Sequence, residues 1–413
     1  MNKRVVVTGL GAVTPLGIGY ELFWDNLLAG KSSIARITAF DPEGYSTQIA
    51  SEIKEFDPAQ YMDKKEARRM DRVTQFAVAA SKLALDDSKI DLAVEDKTRI
   101  GTLVGTGMGG IITLGDNFQK LFDKGHSRVS PLMVPMIIPS MPSGMVSMIF
   151  GLQGPCFPIV TACASGTNSI GEAMKIIQRG SADVMVTGGT EAAVTPICIA
   201  GFENMKAMST RNDDPQTASR PFDADRDGFV LGEGAGIVVL ESLEHALDRG
   251  AHIYCELVGY GTNADAYHIT CPAPEGEMAA KCMELALSDA NLAITEVDYI
   301  NAHGTSTPIN DRNETQAIKT VFGEHAYKMK VSSNKSMVGH LLGASGGVEF
   351  IATALTVMND IVPPTMNIQN LEPDMNLDYV ANKAAKMTVR AALTNSFGFG
   401  GHNATLAVKK YNG

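Results

Sequence analysis

Cys163 stands in the run Val160-Thr161-Ala162-Cys163-Ala164-Ser165-Gly166-Thr167. The apolar segment Ile159 to Ala162 reads as a strand, and a helical pattern follows from Thr167 to Gln178. A thiol at a strand-to-helix turn lies at the positive end of the helix, which favours the thiolate and so makes a nucleophile. Ala162, Ala164, Ser165 and Gly166 are small, as a sharp turn with room for a substrate requires. Alone the signal is weak, because most cysteines are small buried hydrophobes. Two later segments strengthen it: Asn301-Ala302-His303-Gly304-Thr305-Ser306-Thr307-Pro308 and Asn334-Lys335-Ser336-Met337-Val338-Gly339-His340. Each puts a histidine in a glycine-bearing, loop-like context. Tertiary contact would then close a Cys-His-His site for covalent chemistry at sulfur.

A fourth segment, Asn395-Ser396-Phe397-Gly398-Phe399-Gly400-Gly401-His402, lies near the end of the chain. In this order the four segments resemble the β-ketoacyl-acyl-carrier-protein synthases, the condensing enzymes of fatty-acid synthesis. The resemblance is closest to the type II synthase of bacteria and covers essentially the whole chain. It implies an α/β, thiolase-like fold: five layers, αβαβα, in two pseudo-symmetric halves. The expected division is 1–250, carrying the nucleophile, and 251–413, carrying the histidines.

The resemblance also implies roles. Cys163 takes an acyl group from a carrier-protein thioester. Malonyl-carrier protein loses CO₂, and its carbanion attacks the Cys163 thioester to lengthen the chain by two carbons. His303 and His340 match the family's pair of imidazole donors. Backbone N–H groups of Cys163 and Phe399 match the oxyanion donors, where flanking glycines permit close approach. Lys335 and Glu314 match a supporting pair that sets local potential. Thr305 and Thr307 match the hydroxyls that bind the phosphopantetheine arm, a role compatible with capping a turn. Phe399 and Gly400 match the gate of the acyl channel, and Phe202 and Phe229 are wall or plain core. Met108, with Leu132 and Met133 from a second subunit, is expected in the acyl pocket. Asn301, Glu349 and Asn395 match a structural monovalent cation site. No catalytic metal and no cofactor are expected, the substrates being carried on phosphopantetheine.

The elements that must position these groups are legible as alternation. Apolar runs at Val5–Thr8, Ile100–Val104, Val184–Thr187, Ile237–Leu240, Tyr299–Ala302 and Ala404–Val408 alternate with helical patterns. The helical stretches are Glu21–Leu28, Arg72–Asp86, Thr167–Gln178, Gly276–Ser288 and Gly346–Asn359, the alternation of an α/β protein with buried sheets. Cys163-Ala164-Ser165-Gly166 and Gly343-Ala344-Ser345-Gly346 each open a helix, a suggestive internal repeat. Leu132 to Gln153 is rich in Met and Ile but broken by three prolines, so it reads as a buried irregular wall and not a membrane span.

With 413 residues, 45% of them hydrophobic, the chain is long enough for two domain-sized halves. No secretory signal is evident, and six cysteines without CxxC spacing suggest reduced thiols in a cytoplasmic setting. A net charge of −11 argues against nucleic acid. Against that background Lys64, Lys65, Arg68 and Arg69 stand out. On a helix Lys65, Arg68, Arg69 and Arg72 would share one face. That face is either simply solvated or a dock for an acidic partner, acyl-carrier protein in the family; Lys206 and Arg211 extend it. A homodimer is expected.

His126, His245, His252, His268 and His325 read as surface or satisfied core groups, and His402 receives no catalytic role. The nearest alternative function is a type II polyketide ketosynthase with the same Cys-His-His chemistry. A thiolase lacks support because no cysteine follows Cys282. A chain-length factor would lack the nucleophile, and a cysteine hydrolase would leave the paired histidine motifs unexplained.

Overall fold

The computed structural model describes residues 3–413. Ten strands form one mixed sheet. Across it run Lys330–Ser332, Val297–Asn301, Ala391–Gly398, His402–Lys409, Cys255–Ala264, Val5–Thr14, Gly234–Ser242, Val184–Glu191 and Ile100–Gly105, with Gly17–Ile18 folded back on Val5–Thr14. The seam between halves is short: Val5, Val6 and Val7 pair antiparallel with Leu257, Glu256 and Cys255. Outward from the seam the two sides repeat one pattern. Val5–Thr14 meets Gly234–Ser242 antiparallel, then Val184–Glu191 antiparallel, then Ile100–Gly105 parallel. Cys255–Ala264 meets His402–Lys409 antiparallel, then Ala391–Gly398 antiparallel, then Val297–Asn301 parallel.

The helices Ser165–Gln178 and Ser345–Asn359 each touch strands of both halves, so they form the middle of five layers. Their composition suits that place, since thirteen consecutive residues from Ser345 to Val357 are buried. Arg72–Ser88 covers one outer face and Glu277–Ala290 the other. The two central helices meet at their N-termini, where a Cβ on Gly346 would lie 2.1 Å from Thr167 Oγ1 and one on Gly166 2.9 Å from the Gly343 carbonyl. Only glycine admits so close an approach. The repeat seen in the sequence is therefore structural. Turns Ala162–Ala164 and Leu342–Ala344 open the two helices, with Ala162 and Leu342 at φ 51° and 47°.

Three expectations are corrected. Ile159–Ala162 is not a strand: it is irregular, because its edge of the sheet contributes only an isolated bridge between Thr102 and Cys156. Lys65 and Arg72 do not share a helix. Lys64–Ala67 is a separate turn, and Asp71 caps a new helix at Arg72, whose guanidinium turns inward to Glu233 at 2.7 Å. Leu132 to Gln153 is not a buried wall throughout. It folds as the helices Met133–Ile137 and Met141–Phe150 and leaves Leu132, Val134, Ile138 and Met148 exposed. Among the described residues no helix is long and apolar enough to cross a membrane.

One buried ionic cluster sets a pH window for the first half. Glu241 receives Arg249 at 2.8 Å, His245 Nδ1 at 2.6 Å and the Thr8 hydroxyl, while His245 Nε2 meets Glu95 at 3.1 Å. Burial pushes the Glu241 carboxyl up, but the bonds from Arg249, His245 and Thr8 outweigh it and hold the group at about 2. Bonding to Glu241 lifts His245 to about 9 against its own burial. A raised histidine contributes stability below its ordinary value and loses it as pH rises through the folded one. A depressed carboxylate contributes above its ordinary value and loses it as pH falls. Urea unfolding across pH is expected to show stability declining from about pH 7 to 9, and His245→Gln should flatten that decline.

Candidate active site

The irregular segment ending at Thr161 and the tight turn Ala162–Ala164 hold Cys163 at the head of the helix Ser165–Gln178. Ser165 locks the turn, its hydroxyl donating to the Ala162 carbonyl at 2.7 Å and accepting the Thr161 N–H at 2.9 Å. The matching turn of the second half brings in His340, and His340 Nε2 lies 3.2 Å from Cys163 Sγ. His303, at the end of Val297–Asn301, stands edge to face with His340, ring centres 5.3 Å apart. The structure thus joins the three residues from three distant segments, all of them buried.

The hydrogen bonds fix which imidazole nitrogen carries the proton. His340 Nδ1 accepts the Leu342 N–H at 3.3 Å and meets the Ser345 hydroxyl at 3.0 Å; that hydroxyl already accepts the Leu341 N–H, so its own proton is free for the ring. Lys335 Nζ lies 3.5 Å from His303 Nδ1, and an ammonium group can only donate. We therefore assign the proton of both rings to Nε2. Burial, with Lys335 nearby, lowers both histidines well below the ordinary value, and His340 lowers His303 further. They are neutral N–H donors.

Cys163 departs from the expectation of a lowered thiol. Burial pushes it up to about 11, against the lowering influence of Lys335 and of the N–H groups of Phe399 and Cys163 itself. At rest it is a neutral thiol surrounded by groups that would stabilise negative charge once formed. The Gly398 backbone packs on this turn: a Cβ there would lie 3.1 Å from Cys163 N, and the close approach brings the Phe399 N–H to the sulfur.

Lys335 and Glu314 do not pair as expected. Lys335 bonds Glu349, its neighbour across the buried core, and the His303 carbonyl at 2.7 Å. Glu314 instead accepts the backbone N–H groups of His303 and Gly304, each at 2.8 Å, and the Asn395 amide at 3.2 Å. One residue sets charge beside the ring, and the other clamps the loop that carries it. Sequence reasoning missed Glu349 as the lysine's partner and Ser345 as the hydroxyl that orients His340. The second was findable, since Ser345 repeats Ser165 in the Ala-Ser-Gly pair.

Around the lysine pair several buried polar atoms have no partner among the described residues: Asn301 Oδ1, Glu349 Oε2 and both amide atoms of Asn334. Asn301 and Glu349 are neighbours, the Asn301 amide reaching the Glu349 carbonyl at 3.4 Å. Two orphaned oxygens, one a carboxylate's, suit a hard cation. Asn395 is otherwise engaged, its oxygen accepting from Thr405 at 2.8 Å and its amide serving Glu314. Among the described residues no group of three His, Cys, Asp or Glu side chains is placed to hold a metal.

A cavity of about 430 Å³ opens onto this cluster, with Thr305, Thr307, Met108, Phe202, Phe229 and Phe399 in its walls. The Thr305 and Thr307 hydroxyls face each other at 2.9 Å. Thr307 begins the helix Pro308–Phe322, yet its hydroxyl makes no cap. The three phenylalanines form a train, Phe399 to Phe202 at 6.4 Å and Phe202 to Phe229 at 5.3 Å, and Phe229 abuts His340 at 5.5 Å. Gly400 is not in the wall; at φ 81° it turns the chain behind Phe399, and Gly401 lines the cavity instead. Lys64, Lys65, Arg68 and Arg69 are exposed.

Such an arrangement can hold an acyl group on sulfur and present two N–H donors to a second carbonyl. Residues 2–246 match the family model "Beta-ketoacyl synthase, N-terminal domain" and residues 254–369 its C-terminal domain. The chain is 53% identical over 410 residues, 99% of each chain, to the 3-oxoacyl-[acyl-carrier-protein] synthase 2 of Synechocystis sp. and to that of Staphylococcus aureus. A solved type II polyketide ketosynthase, in complex with its acyl-carrier protein, superposes with a TM-score of 0.93 at 35% identity over 100% of both chains.

Removing Lys335 would leave Glu349 buried and unpaired. Lys335→Met is expected to cost about 3–5 kcal/mol of stability, read as a lower urea midpoint. Glu349→Gln with Lys335→Met should recover much of that loss.

Proposed function

The chain belongs to the β-ketoacyl synthase family, and on that premise we propose that it is a decarboxylating 3-oxoacyl-[acyl-carrier-protein] synthase that elongates fatty acyl chains. The observation that carries this reading is the 3.2 Å approach of His340 Nε2 to Cys163 Sγ with the His303 ring beside it.

Two transfers follow from these groups. In the first, Cys163 Sγ attacks the acyl thioester carbonyl. The N–H groups of Cys163 and Phe399 hold the oxyanion, and the thiol proton leaves with the departing phosphopantetheine sulfur. In the second, malonyl thioester loses CO₂ and its carbonyl oxygen takes up negative charge. The Nε2–H groups of His303 and His340 meet that oxygen, and neutral rings serve because they have a proton to donate. The carbanion attacks the Cys163 thioester, releasing a 3-oxoacyl chain two carbons longer and a sulfur that regains a proton from solvent.

Thr305 and Thr307 would receive the phosphopantetheine amides, since both hydroxyls line the cavity and neither caps the helix. Lys335 and Glu314 support His303 from separate sides. Phe399, on the glycine-flanked turn with Gly400, would gate the space bounded by Met108, Phe202 and Phe229. A structural monovalent cation at Asn301 and Glu349, near Asn395, belongs to the same reading. So does the division at residue 250, which the repeated strand order supports.

The partner we propose is acyl-carrier protein, docked on Lys64, Lys65, Arg68 and Arg69. The supporting facts are four exposed cations on a chain of net charge −11 and the carrier protein bound to the polyketide ketosynthase relative. A homodimer is proposed from the exposed apolar side chains Phe118, Phe122, Val134, Ile138, Met148 and Phe157, all carried by one stretch of the chain. A cytoplasmic location fits six unpaired cysteines. The second reading, a type II polyketide ketosynthase, uses the same site. The 53% identity to the fatty-acid synthases against 35% to the polyketide relative favours the first.

Purified protein with acyl- and malonyl-loaded carrier protein should give a 3-oxoacyl product two carbons longer by mass spectrometry. Cys163→Ala should abolish it, and His303→Ala should reduce it by about 10²–10³. No adduct on Cys163 with any carrier-bound chain would refute the proposal. Reversing Lys64, Lys65, Arg68 and Arg69 to glutamate should raise KM for the carrier protein several-fold at low salt and leave kcat nearly unchanged.

A further inference from the structure

Glu191 ends the strand Val184–Glu191, just below the nucleophile turn, and is fully buried. Its carboxylate receives four donors. Oε1 accepts from the Thr106 hydroxyl at 2.8 Å and the Met108 N–H at 3.3 Å, and Oε2 accepts the N–H groups of Gly107 at 2.8 Å and Gly343 at 3.1 Å. Among the described residues no lysine, arginine or histidine bonds it. A buried carboxylate without a cation is costly, so what these bonds hold matters. Three donors belong to the loop after Ile100–Gly105, which carries Met108 into the cavity. The fourth belongs to the turn after His340, in the other half of the molecule. The glycines agree with this reading, because a Cβ on Gly107 or Gly343 would lie 2.9 or 2.8 Å from Oε2.

We propose that Glu191 is a positioning residue for the condensation. Its carboxylate ties the Gly107–Met108 floor of the acyl pocket to the turn following His340, and so fixes the space for the acyl chain relative to Cys163. The geometry stands on its own, while the acyl substrate rests on the synthase reading above.

A second consequence is electrostatic. Burial is the main cause of the raised Cys163 thiol, and the Glu191 charge adds to it while Lys335 opposes it. Cys198 also feels Glu191, and His340, which touches the sulfur, is neutral. Burial raises the Glu191 carboxyl itself to about 7 against its four hydrogen bonds.

Glu191→Gln keeps the size but must turn an NH₂ toward one pair of donors and removes the charge. In the full-length protein, the pH midpoint for iodoacetamide alkylation of Cys163, read by mass spectrometry of the peptide that carries it, is expected to move to lower pH. Acyl transfer to Cys163 from long-chain carrier protein should fall by roughly tenfold to a hundredfold, and more than transfer from short-chain carrier protein. Glu191→Asp keeps the charge but shortens the reach, so it should leave the alkylation midpoint near wild type and still lower long-chain transfer relative to short-chain transfer. A folded Glu191→Gln protein with wild-type midpoint and wild-type chain ratio overturns the proposal. If that variant does not fold, Thr106→Val removes one donor alone, and an unchanged chain ratio there overturns it equally. Should the wild type accept no acyl chain from any carrier, the synthase reading itself falls, an outcome distinct from an active wild type with an unchanged chain ratio in Glu191→Gln, which overturns the role of Glu191 alone.

Discussion

The close crossing of two helix N-termini is the constraint on which the rest depends. Each half of the molecule opens its central helix with a tight turn, and the two turns meet where side chains beyond glycine do not fit. That contact brings Cys163 from the first half to His340 from the second. The strands on either side of the seam are arranged to deliver these two helices to one point. The repeat also explains an economy of parts, because Ser165 braces the Cys163 turn as Ser345 braces the segment of His340.

Packing at that point buries the three reactive side chains, and their burial decides the electrostatics. Burial disfavours charge on every group, so the thiol rises and both imidazoles fall. The outcome is a neutral Cys-His-His cluster with one buried ion pair, Lys335 with Glu349, alongside. A neutral site suits a reaction in which negative charge appears briefly on oxygen. Donors already aimed at that place need no reorganisation when the charge forms. A charged imidazolium would be the stronger donor, but burial and the nearby Lys335 both disfavour its charge.

Much of this was legible in the sequence, for physical reasons that differ by element. Six of the sheet strands and the two central helices were readable from apolar runs and helical spacing, whereas Cys255–Ala264, Ala391–Gly398 and Lys330–Ser332, mixed with glycine and polar residues or only three residues long, were not. The Ala-Ser-Gly repeat was readable because the crossing tolerates few side chains. Cys163, His303 and His340 were readable from motif context, though not their contact. Other features were not. Ile159–Ala162 has the composition of a strand but no continuous neighbour to pair with. Lys65 and Arg72 fall in register for one helix, yet the Asp71 cap starts a new one between them. The partner of Lys335 was misassigned because Glu314 and Glu349 are both acidic and both near in space, and only the fold separates their tasks. The lowered thiol expected from the helix end did not appear, because desolvation is the larger effect.

The central claim is that both histidines are neutral and carry their proton on Nε2. A neutron crystal structure near pH 7 reads those protons directly. The account predicts deuterium on Nε2 of His303 and of His340 and none on either Nδ1. Deuterium on Nδ1 of either ring, or on both nitrogens of one, would contradict it.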